Sequence, residues 1–350
     1  MKLFEEFGEV KVREEIPTLK SDLEKILNVE EIIIKKYEKS KKLKFQEENK
    51  AYHSFYEIVK KKLGDIMLTQ ELLQAYIDAR ENTKENTAAI IRGMYSSVLL
   101  EIISTKTPEK TTVIDGRGKT FNYLFYSIHT VKNVRLSNIK GENIFALAGS
   151  LKGNVKYITI DQIEGDDLFA LAGSDEGNIE YITLNRIKGF LTLASAGKKR
   201  GKVEHIVLND IEGLWTQHNF CKDHGSGTYI TLNKLNGNET LINAGTEKGS
   251  INYLLLNEIN GARTLKNVGC HGNAQHIFLN KINGNETLLN AGLYGNVNNI
   301  IQEETNKNQK EILAKIILIA ETMYSLSLEE QKAAHDEIAK LQEEIFPGET

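Results

Sequence analysis

Residues 155–178 read VKYITIDQIEGDDLFALAGSDEGN, and closely related blocks precede and follow them. Their register is marked by Gly141, Gly165, Gly189, Gly213, Gly237, Gly261 and Gly284, spaced by 24 residues with a last interval of 23. A fixed period of this length predicts a solenoid, because each block is one rung that buries its apolar face only against its neighbours. Val134, Ile158, Ile182, Ile206, Ile230, Leu254 and Ile277 form one apolar column. Leu136, Ile160, Leu184, Leu208, Leu232, Leu256 and Leu279 form another. Thr159, Thr183, Val207 and Thr231 alternate with them, the period-two pattern of a strand with one face inward. A polar column follows at once: Ser137, Asp161, Asn185, Asn209, Asn233, Asn257 and Asn280. A second emerges later as Asn219, Asn243, Asn267 and Asn290. Asparagines at a bend hydrogen-bond their copies in the rungs above and below, making a ladder.

These columns predict an all-β solenoid core, a parallel β-helix of about seven 24-residue coils over residues 108–302. Each coil is expected to hold two or three short strands, with ETLINAGTEKG (239–249) reading as a second short strand with small residues. The alternative is a leucine-rich-repeat-like solenoid. Its LxxLxLxxN pattern sets the asparagine three positions beyond the last leucine, whereas here it follows immediately. At ~4.8 Å per rung, seven coils make a rod roughly 34 Å long. None of the three prolines lies inside the repeats, so the backbone ladders can run unbroken.

Residues 1–107 read as an α-helical N-terminal domain. Tyr52, Phe55, Tyr56, Val59 and Leu63 recur at helical spacing, Thr69 marks a helix start, and Pro108 closes the segment. Residues 303–350 read as a helical cap, with Ser327 and Glu330 forming a capping box. Open solenoid ends recruit other chains, so the two helical segments are expected to cap them, or to bury a homo-oligomer interface.

The net charge of −4 argues against a surface built for nucleic acid. The run KKYEKSKKLKF (35–45) has the composition of an anion-binding stretch, but acidic residues flank it and a solvated helix face fits better. The start MKLFEEFGEV lacks a signal-peptide core, and no stretch approaches ~20 uninterrupted apolar residues, so neither export nor a membrane span is expected. Two cysteines, Cys221 and Cys270, cannot form a disulfide framework and suit a cytoplasmic setting. No cofactor is implied.

Candidate binding residues are read as departures from the repeat or as aligned columns. The fourth coil reads Trp215-Thr216-Gln217-His218-Asn219-Phe220-Cys221, where its neighbours have TLASAG (192–197) and TLINAG (240–245). Gln217 replaces a column of Phe145, Phe169, Leu193, Leu241, Leu265 and Leu288, and Cys221 replaces a turn glycine. His218, Cys221 and His224 have metal-compatible side chains, although a strong zinc site shows paired ligands at known spacings and a fourth ligand. Repeat decay around a bulge is the plainer reading. Lys198, Lys199 and Arg200 form a basic loop that could hold a phosphate or carboxylate, or simply be solvated. Tyr157, Tyr181, His205, Tyr229, Tyr253 and His276 align in a column expected to face outward. Such aromatics can stack on sugars, bases or a partner, or on each other to support the strands.

The chain resembles parallel β-helix proteins at the level of fold, over about 190 residues. Fold alone does not specify function. The regularity favours a non-enzymatic scaffold or binding protein presenting an elongated face to a protein or polymeric partner. A carbohydrate-active β-helix enzyme is the second reading, with Asp166, Asp167 and Asp223 as scattered carboxylates. The third is a metal or iron–sulfur assembly scaffold. The order helices, β-helix, helices resembles that of the SUF-type iron–sulfur cluster assembly scaffold proteins, with Cys221 and His224 as the motif support.

Overall fold

A computed structural model describes residues 12–37, 45–80, 87–302 and 307–346. Four helices open the chain: α1 (Val12–Tyr37), α2 (Phe45–Lys62), α3 (Gln70–Ala79) and α4 (Thr87–Lys106). Nine strands follow: β1 (Thr112–Asp115), β2 (Thr130–Lys140), β3 (Asn154–Glu164), β4 (Asn178–Lys188), β5 (Lys202–Glu212), β6 (Ser226–Asn236), β7 (Ser250–Asn260), β8 (Asn273–Asn283) and β9 (Asn296–Gln302). They form one parallel sheet in sequential order. The chain ends in α5 (Lys307–Thr322), a short 3₁₀ turn (Met323–Ser325) and α6 (Leu328–Ile345). The core is therefore a parallel β-solenoid of about eight turns, flanked by helices on both sides in sequence.

Pairing is in register by one repeat throughout, so Ile158 faces Ile182 and Asp161 faces Asn185. The expected amide ladder is present. Asn185 Nδ2 donates to Asp161, and Asn209, Asn233 and Asn257 each donate to the preceding copy, all at 2.7 Å. The second ladder links Asn219, Asn243, Asn267 and Asn290 at 2.9–3.1 Å. A residue with positive φ, such as Arg186 (54°), follows the first ladder and turns each strand at its corner.

The glycine register has a steric cause. A Cβ at Gly189 would lie 1.8 Å from the carbonyl oxygen of Gly165. The backbones of consecutive coils stack so closely there that no side chain fits.

The remainder of each coil departs from the expected second strand. In the segment that follows β3, Asp167, Phe169, Leu171 and Gly173 have φ of 55°, 56°, 58° and 63°. Leu171 N–H donates forward to Ala194, whereas Phe169 and Gly173 donate back to Ile144 and Ala148. The residues between them close short turns, as Ala172 does onto Phe169. Left-handed backbone costs an L-residue on the order of 1–2 kcal/mol. Here it persists because each such residue gives its N–H to a neighbouring coil, leaving no buried donor unpaired.

The N-terminal helices cover the first coil. Gln70 and Gln74, one turn apart on α3, bond the edge of β1: Val113 N–H donates to Gln70, Asp115 N–H to Gln74, and Gln74 donates to the Asp115 carbonyl. Ser96 and Ser97 of α4 bond the backbone of Phe125 and Tyr126. α4 is long and apolar enough to cross a bilayer, and most of it is buried against the other helices and the first coil.

The C-terminal helices do not cap the other end. They lie along the outer face of the sheet, and α6 crosses the strands from β3 toward β8. Gln331 meets Thr159, His335 meets Thr183, and Gln342 meets Thr231. Ile338 and Ile345 share an apolar cluster with Val207, Leu255 and Phe278. These helical positions are spaced 4, 3, 4 and 3 residues. A helix advances ~5.2 Å per 3.5 residues, close to the ~4.8 Å between strands, so one stripe of α6 meets one strand after another. Polar positions of that stripe face threonines, and apolar ones join Val207, Leu255 and Phe278. Instead of the coil end, the helices pack on the sheet face, where Val207, Leu255 and Phe278 bury their apolar stripe.

Candidate functional site

The fourth coil holds an exchange of volume rather than a ligand set. Cys221 occupies a column of glycines and Phe220 a column of alanines, while Gly227 takes the place held by Val203 and Ile251. A Cβ at Gly227 would lie 3.0 Å from Phe220 and 3.1 Å from Cys221 Sγ. Bulk removed from the strand has thus been supplied by the adjoining turn. Cys221 is fully buried, and burial pushes its thiol well above the ordinary range. His224 is exposed, and His218 is half-buried with its pKa lowered by desolvation. Cys221 and His224 therefore point into different environments. Among the described residues no three His, Cys, Asp or Glu side chains assemble as a metal site. Trp215 is part-exposed, and its indole N–H donates to Glu239. Gln217 is fully buried, and neither its amide nitrogen nor its oxygen has a partner.

The basic loop is neutralised by adjacent coils. Lys199 pairs with Asp175 at 3.2 Å, Arg200 with Glu176 at 3.5 Å, and Lys198 with Asp223 at 3.9 Å. Lys199, Arg200, Asp175, Glu176 and Asp223 line an open trough of about 540 Å³. Asp166 accepts from the Phe190 backbone N–H at 2.7 Å, a rung-to-rung brace.

The aromatic column stacks on itself. Successive ring centroids from Tyr157 through Tyr181, His205, Tyr229 and Tyr253 to His276 are 4.4–5.2 Å apart and nearly parallel. α6 covers it: Tyr181 bonds Asp336 at 3.3 Å, Tyr229 bonds Glu343, and His335 lies beside both Tyr181 and His205. Desolvation lowers the His205 pKa and drives that of the fully buried His335 down to about 3. The rings that were expected to face outward are packed beneath a helix.

A wider concavity than the one beside the basic loop lies on another side. A trough of about 810 Å³ crosses β1 to β5 at their corners. Its rim is a column of alternating charge in which Lys140 pairs with Glu164 at 2.7 Å and Lys188 with Glu212 at 2.9 Å. These contacts hold Glu164 below and Lys188 above their ordinary pKa values. Arg186 projects from the corner and chelates Asp161, while Arg117 pairs with Asp78 at 2.8 Å. The same charged column borders a second trough of about 550 Å³ along the glycine stack. Reading the 24-residue register for alternating charge would have found this column, which residue-type motifs passed over. No family model, curated protein or solved structure matches this chain.

Proposed function

We propose that the protein is a non-enzymatic scaffold that holds a protein partner along the charged corner face of the rod. The trough across β1 to β5 carries this reading: it is open, its lining runs over five consecutive strands, and no helix residue is part of that lining. Its rim repeats plus and minus at one coil's spacing, ~4.8 Å, a raster that an extended polypeptide with alternating charge can match. The strongly perturbed groups lie elsewhere, in buried pairs such as Tyr76–Glu30 and His335–Thr183, where they hold elements together. A reducing, cytoplasmic setting accords with two free cysteines, Cys221 and Cys270. Capture of partners from the native cell by the intact protein tests the proposal, with Lys140→Glu/Lys188→Glu as the comparison. Retention of a partner that the double variant loses is expected. Equal retention by both proteins removes the charged face from consideration.

A further inference from the structure

The two ends of the rod are built differently. At the first coil, the β1 edge is occupied by Gln70 and Gln74, and α4 packs across the turn. At the last coil, no described strand pairs with the outer edge of β9. The preceding coil shows what that edge would normally offer. Gly261 gives its N–H to Asn283, Arg263 to Asn285, Asn267 to Leu289 and His271 to Leu293, at 2.8–3.1 Å. Their counterparts Gly284, Glu286, Asn290 and Tyr294 find no backbone acceptor among the described residues.

Apolar side chains crowd the same coil. Leu289, Leu293, Tyr294 and Ile300 are 40%, 45%, 79% and 42% exposed. From Ile282 to Gln302 the sequence carries a single charged residue, Glu286, which Arg263 neutralises at 3.2 Å. Exposed edges are ordinarily blunted by lysine, proline or inward charge, and this one has none of them. Two identical faces of this kind meet without like-charge repulsion. Residues 303–306 join β9 to α5 and are too few to wind another coil of 23 or 24 residues.

We propose that the terminal coil is a dimerisation surface on which a second copy of this chain docks tail to tail. The capped β1 end rules out head-to-tail addition, so the contact must be isologous, about a two-fold axis, and it closes as a dimer. The unpaired N–H groups of one copy then meet the outward carbonyls of the other, those of Thr287 and Ala291, whose counterparts Thr264 and Val268 accept from Leu288 and Gly292 within the chain. The exposed leucines meet beside them, while the charged trough stays open on both.

Sedimentation of the full chain over a concentration series tests this, together with Leu289→Lys/Leu293→Lys and the single Tyr294→Lys. All three positions are exposed, and an unchanged circular dichroism spectrum verifies folding; the single variant serves if the double one misfolds. A dimer whose dissociation constant rises at least tenfold in these variants is expected. Fluorescence transfer in a Cys270→Ser background gives the geometry. Eight strand spacings of ~4.8 Å make a rod of ~38 Å, so labels at Tyr294→Cys should lie within ~30 Å across the dimer and labels at Val113→Cys near ~80 Å. A monomer at every concentration, a dimer indifferent to the lysines, or close Val113→Cys labels would each overturn the proposal.

Discussion

Gln217 sits between Leu193 and Leu241 in the interior column, and all three are fully buried. Its amide makes no hydrogen bond through either atom. Leaving such a group unpaired costs roughly 1–3 kcal/mol of desolvation. Leucine at this site would bury more apolar surface in a similar volume, and Leu193 (φ 58°) and Leu241 (φ 56°) already hold the same left-handed backbone as Gln217 (57°). No new strain enters. Gln217→Leu is therefore expected to stabilise the chain by about 2 kcal/mol. For a domain of this size that corresponds to a melting shift of roughly 4 °C. Urea unfolding can be followed by circular dichroism and by the fluorescence of Trp215, the chain's one tryptophan, which lies in the same coil. Stabilisation seen by both probes is expected. A loss of stability would refute the reasoning, since it would mean that the buried amide has a partner inside the rod.

Three further outcomes follow from the packing. His335 is buried neutral with a pKa near 3, so the unfolded state binds its proton first as pH falls below ~6.5. Its contribution should be lost on acidification, by about 2 kcal/mol at pH 5, and His335→Gln should flatten that slope in pH-dependent unfolding or in proteolysis of α6. Gly189→Ala should destabilise by about 3 kcal/mol or more in denaturant melts, since its Cβ meets a backbone carbonyl that cannot move alone. Gly227→Val should be strongly destabilising alone and much less so with Phe220→Ala and Cys221→Gly; a coupling under ~0.5 kcal/mol in the mutant cycle would break the volume-exchange account.

Much of the fold was legible because a solenoid repeats its physics. Each column of the sequence samples one environment seven times, so the stacked isoleucines, the leucines and the asparagine ladders declared themselves without any long-range information. Thr69 and Ser327 were legible as helix starts for a related reason, since a cap is a local hydrogen bond. The second strand was misread because ETLINAG has a strand's composition, while its backbone answers to acceptors in adjacent coils. The fourth coil stood out by type, yet its chemistry depended on where each side chain pointed. Cys221 faces inward against Gly227 and His224 outward, and spacing alone does not carry that distinction.

By itself the sequence determined the period, the parallel register and the position of the irregular coil, because those depend on residues meeting their own copies one repeat away. Only the tertiary structure decided where α5 and α6 lie. Their apolar stripe was visible, but its partner was not, since many apolar faces can satisfy a stripe. The match of helical rise to strand spacing selected the aromatic side of the sheet, burying the tyrosine column. That choice left the charged corner face and the last coil open to solvent.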